Sequence, residues 1–190
     1  MSSTSASAEL TIELPSWVGE LRDARRSFNS LEDRMSVAID VARRNVEHGT
    51  GGPFGAAVFE TESGRLVSVG MNLVVSSGNA FLHAETVALM FAQHELGSFS
   101  LRSPAHDLFT SCAPCAMCLG AVLWSGVSRL VSGAAREDAM EIGFDEGPVF
   151  DASYEYLVSR GINCQAGVLR AEARAVLQEY RARGAPIYNA

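Results

Sequence analysis

The chain has 190 residues, 47% of them hydrophobic and 19% charged, with a formal charge of −7. That length suits one domain with a sizeable core, and no apolar run approaches the length of a bilayer-spanning helix. The acidic balance disfavours nucleic acid as a main partner, because gripping a polyanion calls for a basic surface.

The opening stretch "MSSTSASAEL" lacks a basic segment followed by an apolar one, so it reads as a frayed tail and not as a signal peptide. Residues 1–28 are expected to form a partly disordered extension, and residues 29–190 one domain. Ser30 can cap a helix whose apolar positions Met35, Ile39, Ala42 and Val46 recur at helical spacing, ended by "HGTGGP". Three short β-like runs follow: "GAAVFE", "RLVSVG" across a turn at Glu62-Ser63-Gly64, and "NLVV". A second helix is expected from near His83, with Ala84, Val87, Ala88, Phe91 and Ala92 facing inward. "HDLFTS" reads as a strand, "CAMCLGAVLWSG" as a buried helix with Pro114 at its start, and "SRLVSGA" as another strand. Beyond "EIGFDEGP" come a helix around 154–160, the strand "NCQAGV" and a closing helix over 170–183. This order predicts an α/β domain, a mixed sheet sandwiched by helices.

Three of the four cysteines, Cys112, Cys115 and Cys118, fall within seven positions, with Cys164 far off. That crowding suits metal chemistry in a reducing cytoplasm better than a disulfide framework. Cys115 and Cys118 lie three apart on a predicted helix, so their thiols share one face. His83, near the start of the preceding helix, supplies an imidazole. Two thiolates and one imidazole leave a fourth position for water, the pattern of catalytic zinc. With Cys112 as a fourth ligand the site would instead be a closed structural staple.

Glu85 decides between the two. A carboxylate beside an activated water can take its proton and pass it to a substrate nitrogen. Alone, the same residue would serve as a first-turn acid on the helix dipole. Taken together, "HAE" and the later "PCAMC" form the H-x-E…P-C-x-x-C arrangement of zinc-dependent deaminases.

Those motifs, with "GGPFGAAVFE", "MNLVV", "HAETVAL", "TSCAPCAMCLGAVLWSG", "AAREDAMEIGFDEGP" and "IYNA", span most of the chain from about Gly51 onward. On them the chain resembles the cytidine-deaminase-like superfamily of zinc-dependent deaminases, and within it the guanine deaminase branch. The resemblance implies a three-layer α/β/α sandwich around a central mixed five-stranded sheet. It implies one catalytic Zn2+ per chain on His83, Cys115 and Cys118, with Glu85 as proton shuttle. It implies that Glu146, after "GFD", assists proton traffic to the leaving amine, that Asn72 contacts the base, and that Phe54 walls or stacks on it. Ala84, beside the first ligand, joins the substrate-binding candidates. The segment 184–190, with Tyr188 and Asn189, is expected as an active-site lid in a homodimer.

Blander roles compete for several of these residues: Asn72 as a strand start, Phe54 as core packing, Glu146 as a loop charge. Trp124 reads as core, and His48, His94 and His106 as surface or internally satisfied histidines. Ala113 departs from the family habit of a glutamate before the proline, a change expected to touch the outer wall of the pocket and not the reaction.

The expectation is a cytoplasmic enzyme, without membrane or nucleic-acid partner, that hydrolyses a free amino-purine base, guanine to xanthine plus ammonia. The alternatives are an ammeline-type triazine, guanosine or cytosine as substrate, or a tRNA adenosine deaminase with a basic face around its pocket. A non-catalytic zinc-stabilised binding module would place Cys112 on the metal and have no need of Glu85.

Overall fold

The structure is a computed structural model, and it describes residues 10–22 and 28–188. The expected frayed tail over residues 1–9 and the lid candidate Asn189 lie outside the described residues.

Helix α1 (Val18–Arg22) precedes α2 (Leu31–Glu47), which Ser30 starts as expected. The Ser30 hydroxyl accepts the Asp33 N–H at 3.0 Å and Asp33 returns the favour to the Ser30 N–H at 3.4 Å, a reciprocal cap that satisfies two otherwise unpaired donors. Met35, Ile39, Ala42 and Val46 are all buried, so the predicted apolar stripe is the face α2 lays on the sheet.

The sheet has the order β2-β1-β3-β4-β5. Strand β1 (Gly55–Glu60) runs antiparallel to β2 (Leu66–Met71) and to β3 (His106–Cys112). Strands β4 (Arg129–Ala134) and β5 (Asn163–Gln165) continue parallel to β3. The reversal at β1 matters for function. The start of β1 and the ends of β2, β3 and β4 all emerge at one edge of the sheet, where ligands bind in open α/β folds.

Two apolar layers hold the helices on. Ala57, Phe59, Val69, Met71, Phe109 and Val131 face α2 and α8 (Arg170–Ala182). Ala56, Val58, Val67, Leu108 and Leu130 alternate to the other face, against α4 (Ala84–Leu96) and α5 (Ala116–Ser125). The expected three-layer α/β/α sandwich with a mixed five-stranded sheet is therefore present. Phe59 and Phe109 meet edge to face at 5.5 Å in the middle of the α2 layer. Burying each such ring stabilises the fold by roughly 1.5–3 kcal/mol. At the edge away from the strand ends, Arg34 crosses from α2 to the fully buried Asp107, at 3.0 Å.

Several expectations need correction. "NLVV" is not a strand: β2 ends at Met71, the Asn72 side chain accepts the Val74 N–H at 3.2 Å, and that turn opens the short helix α3 (Val74–Ser77). Strand β5 is shorter than "NCQAGV", because the chain leaves the sheet toward Gly167, whose φ is 81°. Pro114 precedes Cys115, the N-cap of α5, and so stands one residue outside the helix start. Helix α5 is buried on one face only, and Trp124 is 81% exposed instead of lying in the core. Besides α3, two helices among the described residues went unforeseen, α1 and α6 (Arg136–Glu141), while α7 (Asp151–Ser159) matches the helix expected around 154–160. Trp17 and Val18, from α1 and its approach, are buried in the α2 layer.

Candidate active site

Two helices begin at the site. His83 is the N-cap of α4 and Cys115 the N-cap of α5, with Cys118 one turn into α5. Both positive helix ends thus converge where thiolates and carboxylates gather, which favours their charged forms. The Nδ1 of His83 lies 3.5 Å from Sγ of Cys115 and 3.5 Å from Sγ of Cys118. Among the described residues these three form the one group of potential ligand atoms able to share an ion.

The donor set fits zinc. Bond lengths of about 2.3 Å to sulfur and about 2.0 Å to nitrogen at a tetrahedral angle place nitrogen and sulfur roughly 3.5 Å apart, the spacing the residues already have. Cys115 is pulled down to about 4, by the hydrogen bond with Cys118 first and, against its burial, by His83. Cys118 is pushed up by that same bond and by burial, and zinc would take both side chains as thiolates. Cys112 stands apart. Its thiol is directed at the Ala135 carbonyl at 3.6 Å, and it is no member of the group of three.

Glu85 is buried in the first turn of α4, its Oε2 3.4 Å from Sγ of Cys118. Burial first, and then the charge of Cys115, raise its pKa above the usual carboxylate range. Glu146 is buried opposite, on the loop after α6, and is pushed up to about 8 by burial, with Cys115 and Glu85 adding to it. The loop is fastened by the Ala116 N–H on the Glu146 carbonyl at 3.0 Å and by Arg136 on the Gly147 carbonyl at 2.8 Å.

A small cavity of about 20 Å3 lies between these groups, lined by Phe54, Asn72, His83, Glu85, Ala113, Cys115, Glu146 and Tyr188. Six of the sequence-predicted residues besides the first cysteine ligand line it, although they come from five separate stretches of chain. Cys118 sits beneath the wall, fully buried. Ala84 does not line the cavity; it is fully buried in the layer between α4 and the sheet. Ala113 does line it, in agreement with its expected place on the pocket wall.

Tyr188, near the C-terminus, lines the cavity of its own chain. Tyr188 packs edge to face on Phe144 at 5.0 Å, and Phe144 in turn meets Phe54 at 5.0 Å. Gly52 makes room for it, since a side chain there would overlap the Tyr188 ring and hydroxyl. That hydroxyl is buried without a hydrogen-bond partner of good geometry, and burial raises its pKa. His48 and His94 are exposed, and His106 is buried with Nδ1 on the Leu101 carbonyl at 3.0 Å.

One residue of this neighbourhood escaped the sequence reading. Asn45 of α2 donates to the carbonyls of Gly52 and Asn72 behind the cavity wall. The signal for it was its place on the apolar stripe of α2, next to Val46, where a polar side chain must find partners.

The model of the cytidine and deoxycytidylate deaminase zinc-binding region matches residues 29–134. The guanine deaminase of Bacillus subtilis is 37% identical over 119 residues, 63% of this chain and 74% of that protein. The solved structure of a guanine deaminase from Nitrosomonas europaea is 41% identical, covers 94% of this chain and 99% of its own, and superposes with a TM-score of 0.88. A mutant protein crystallised in complex with 8-azaguanine is likewise 41% identical, with 94% and 99% covered and a TM-score of 0.89.

Proposed function

Because the chain belongs to the cytidine and deoxycytidylate deaminase family of zinc-binding enzymes, we propose that it hydrolyses guanine to xanthine and ammonia. The observation that carries this reading is the placement of Glu85 beside the His83, Cys115 and Cys118 cluster, on the floor of a cavity walled by Phe54, Asn72, Glu146 and Tyr188. Similarity to guanine deaminases over nearly the whole chain supports guanine as the base.

His83, Cys115 and Cys118 would hold one zinc ion per chain, and when bound it supplies Lewis-acid activation of the attacking water. Oε2 of Glu85 accepts a proton from that water as its oxygen bonds to the ring carbon bearing the amine, and returns the proton to the adjacent ring nitrogen. The carbon–nitrogen bond to the amine then breaks as the new hydroxyl gives up its proton to a cavity carboxylate and becomes the carbonyl, so that with the proton supplied to the amine the group leaves as ammonia. Glu146 faces the same cavity and would hand a proton to the departing amine. Asn72 reads the base edge through its Nδ2, its Oδ1 being committed to the Val74 N–H. Phe54 walls the ring. Such contacts discriminate because a wrong base leaves buried polar groups unpaired.

Residues 184–190 act as a lid in this reading. The cavity of about 20 Å3 is small for a purine, and in this reading Tyr188 is the group that moves aside for the base and returns over it. Its hydroxyl, which lies beside the Asn72 side chain, would then contact the base. We propose that the extension over 1–28 serves the domain at 29–190 structurally, through Trp17, Val18 and Phe28, which pack into its core.

We further place the enzyme in the cytoplasm as a homodimer. Exposed apolar residues Phe81, Met90 and Trp124 line one groove on the α4–α5 face and support an interface there. No helix among the described residues is long and apolar enough to cross a membrane.

An ammonia-release assay on guanine, guanosine, ammeline, cytosine and a tRNA anticodon stem tests the substrate. Guanine is expected to turn over fastest. Turnover of another of these with guanine untouched would keep the deaminase and discard its base.

A further inference from the structure

Asn45 lies in the last two turns of α2 and is completely buried. A buried amide left unbonded costs about 1–3 kcal/mol, and this one is fully used. Its Nδ2 donates to the Gly52 carbonyl at 2.8 Å and to the Asn72 carbonyl at 2.9 Å. Its Oδ1 accepts from the Thr50 hydroxyl at 2.6 Å. Two carbonyls at one end require the NH2 group there, so the network fixes which way the amide points.

The two carbonyls belong to different loops, one leading into β1 and one leaving β2. The first loop carries Phe54 two residues after Gly52, and the second carries Asn72 itself. The Asn72 N–H also bonds the Phe54 carbonyl, at 3.0 Å. Gly51 permits this close approach, because a side chain there would overlap the Asn72 carbonyl and crowd Nδ2 of Asn45. The proposed metal ligands and Glu85 sit elsewhere, at the starts of α4 and α5, and Asn45 makes no hydrogen bond to either helix among the described residues.

We propose that Asn45 is a positioning residue for base binding: it clamps the loops of Phe54 and Asn72 at the spacing that grips a purine by its face and its edge. It therefore governs KM and leaves the metal and the proton steps alone. This rests on the reading of Phe54 and Asn72 as base contacts. A displaced contact wall is costly because productive binding tolerates only small misplacements.

The test uses the full-length, zinc-loaded enzyme. Asn45→Asp keeps the size of the side chain but turns an oxygen on two carbonyls. It is expected to raise KM for guanine about tenfold, the equivalent of one well-made hydrogen bond, with kcat within about threefold and zinc content unchanged. Hydrogen exchange should speed up at the Asn72 and Val74 amides and stay slow at Val87, whose N–H bonds the His83 carbonyl at 3.0 Å. Asp107→Asn, destabilising at the opposite end of the sheet, is the control and should leave KM alone. Should Asn45→Asp not fold, Thr50→Val removes the bond that orients the amide and is expected to shift KM and exchange the same way, more weakly. A fall in kcat at unchanged KM, or wild-type exchange at Asn72 and Val74, overturns the proposal. Faster exchange with unchanged KM also overturns it, by removing Phe54 and Asn72 from base binding while the clamp itself stands. If the wild-type enzyme leaves guanine untouched, the substrate reading fails, and the exchange measurement still decides whether Asn45 is the clamp.

Discussion

Sγ of Cys118 lies 3.4 Å from Oε2 of Glu85, so a member of the metal cluster touches the carboxylate proposed to move protons. The contact joins two helices, α4 and α5, whose N-termini point at the same few ångströms of space. Neither helix contains the site alone. The sheet brings them together by sending β3 up between the strands that precede and follow it, and each helix then contributes residues at its first turn.

The ligand set separates a catalytic site from a staple. Cys118→Ser is expected to reduce zinc content well below one ion per chain, measured by elemental analysis of dialysed protein. Cys112→Ser should retain the ion, because the Cys112 thiol points to the Ala135 carbonyl. Loss of zinc in Cys112→Ser would favour a closed four-ligand centre.

Tyr188 should matter for catalysis and little for stability. Tyr188→Ala opens the cavity to water and is expected to lower kcat/KM by roughly 10–100-fold, with zinc retained and the melting temperature little changed. Tyr188→Phe keeps the packing on Phe144 and should lose less. Wild-type kinetics for Tyr188→Ala, measured by steady-state assay, would remove the lid.

Asp138 gives the fold a defined acid sensitivity. Its carboxylate accepts from Arg170 at 2.9 and 3.1 Å and caps α6 by accepting the Ala135 N–H at 2.8 Å. The Arg170 hydrogen bonds first, and the Ala135 N–H and Arg174 as well, hold its pKa below 3.8 against the effect of burial. A depressed carboxylate stabilises the fold fully above its unfolded pKa, and that share disappears as pH falls through the lower folded value. Asp138→Asn should therefore cost about 1 kcal/mol near neutrality. Calorimetry should find the gap from wild type constant down to about pH 5 and closing as pH drops below 3.8. A gap independent of pH would show that shape, not charge, supports α6.

Much of this site could be read from the chain because its chemistry is local. His83 and Glu85 are two apart, Cys115 and Cys118 are three apart, and each pair sits where a helix begins, so spacing shows each pair, while the meeting of the two pairs was legible through the family resemblance. The same logic placed Ser30, the α2 stripe and strands β1 to β4. What failed depended on partners distant in sequence. "NLVV" has strand-like composition, yet no neighbour awaits it beyond the edge strand β2, and the Asn72 side chain turns it into a helix instead. Trp124 looked like core because of its size, although α5 buries only the opposite face. Asn45 was invisible as a functional residue because both carbonyls it bonds lie in loops whose approach only the folded sheet determines.

The measurement that bears most directly on the central claim is ammonia release from guanine by zinc-loaded wild-type enzyme and by Glu85→Gln with its zinc content verified. The wild type should turn guanine over, and Glu85→Gln should be slower by about 10²–10⁴-fold while keeping its metal. Equal ammonia release by the two proteins would contradict the role assigned to Glu85 and, with it, the chemistry proposed for the site.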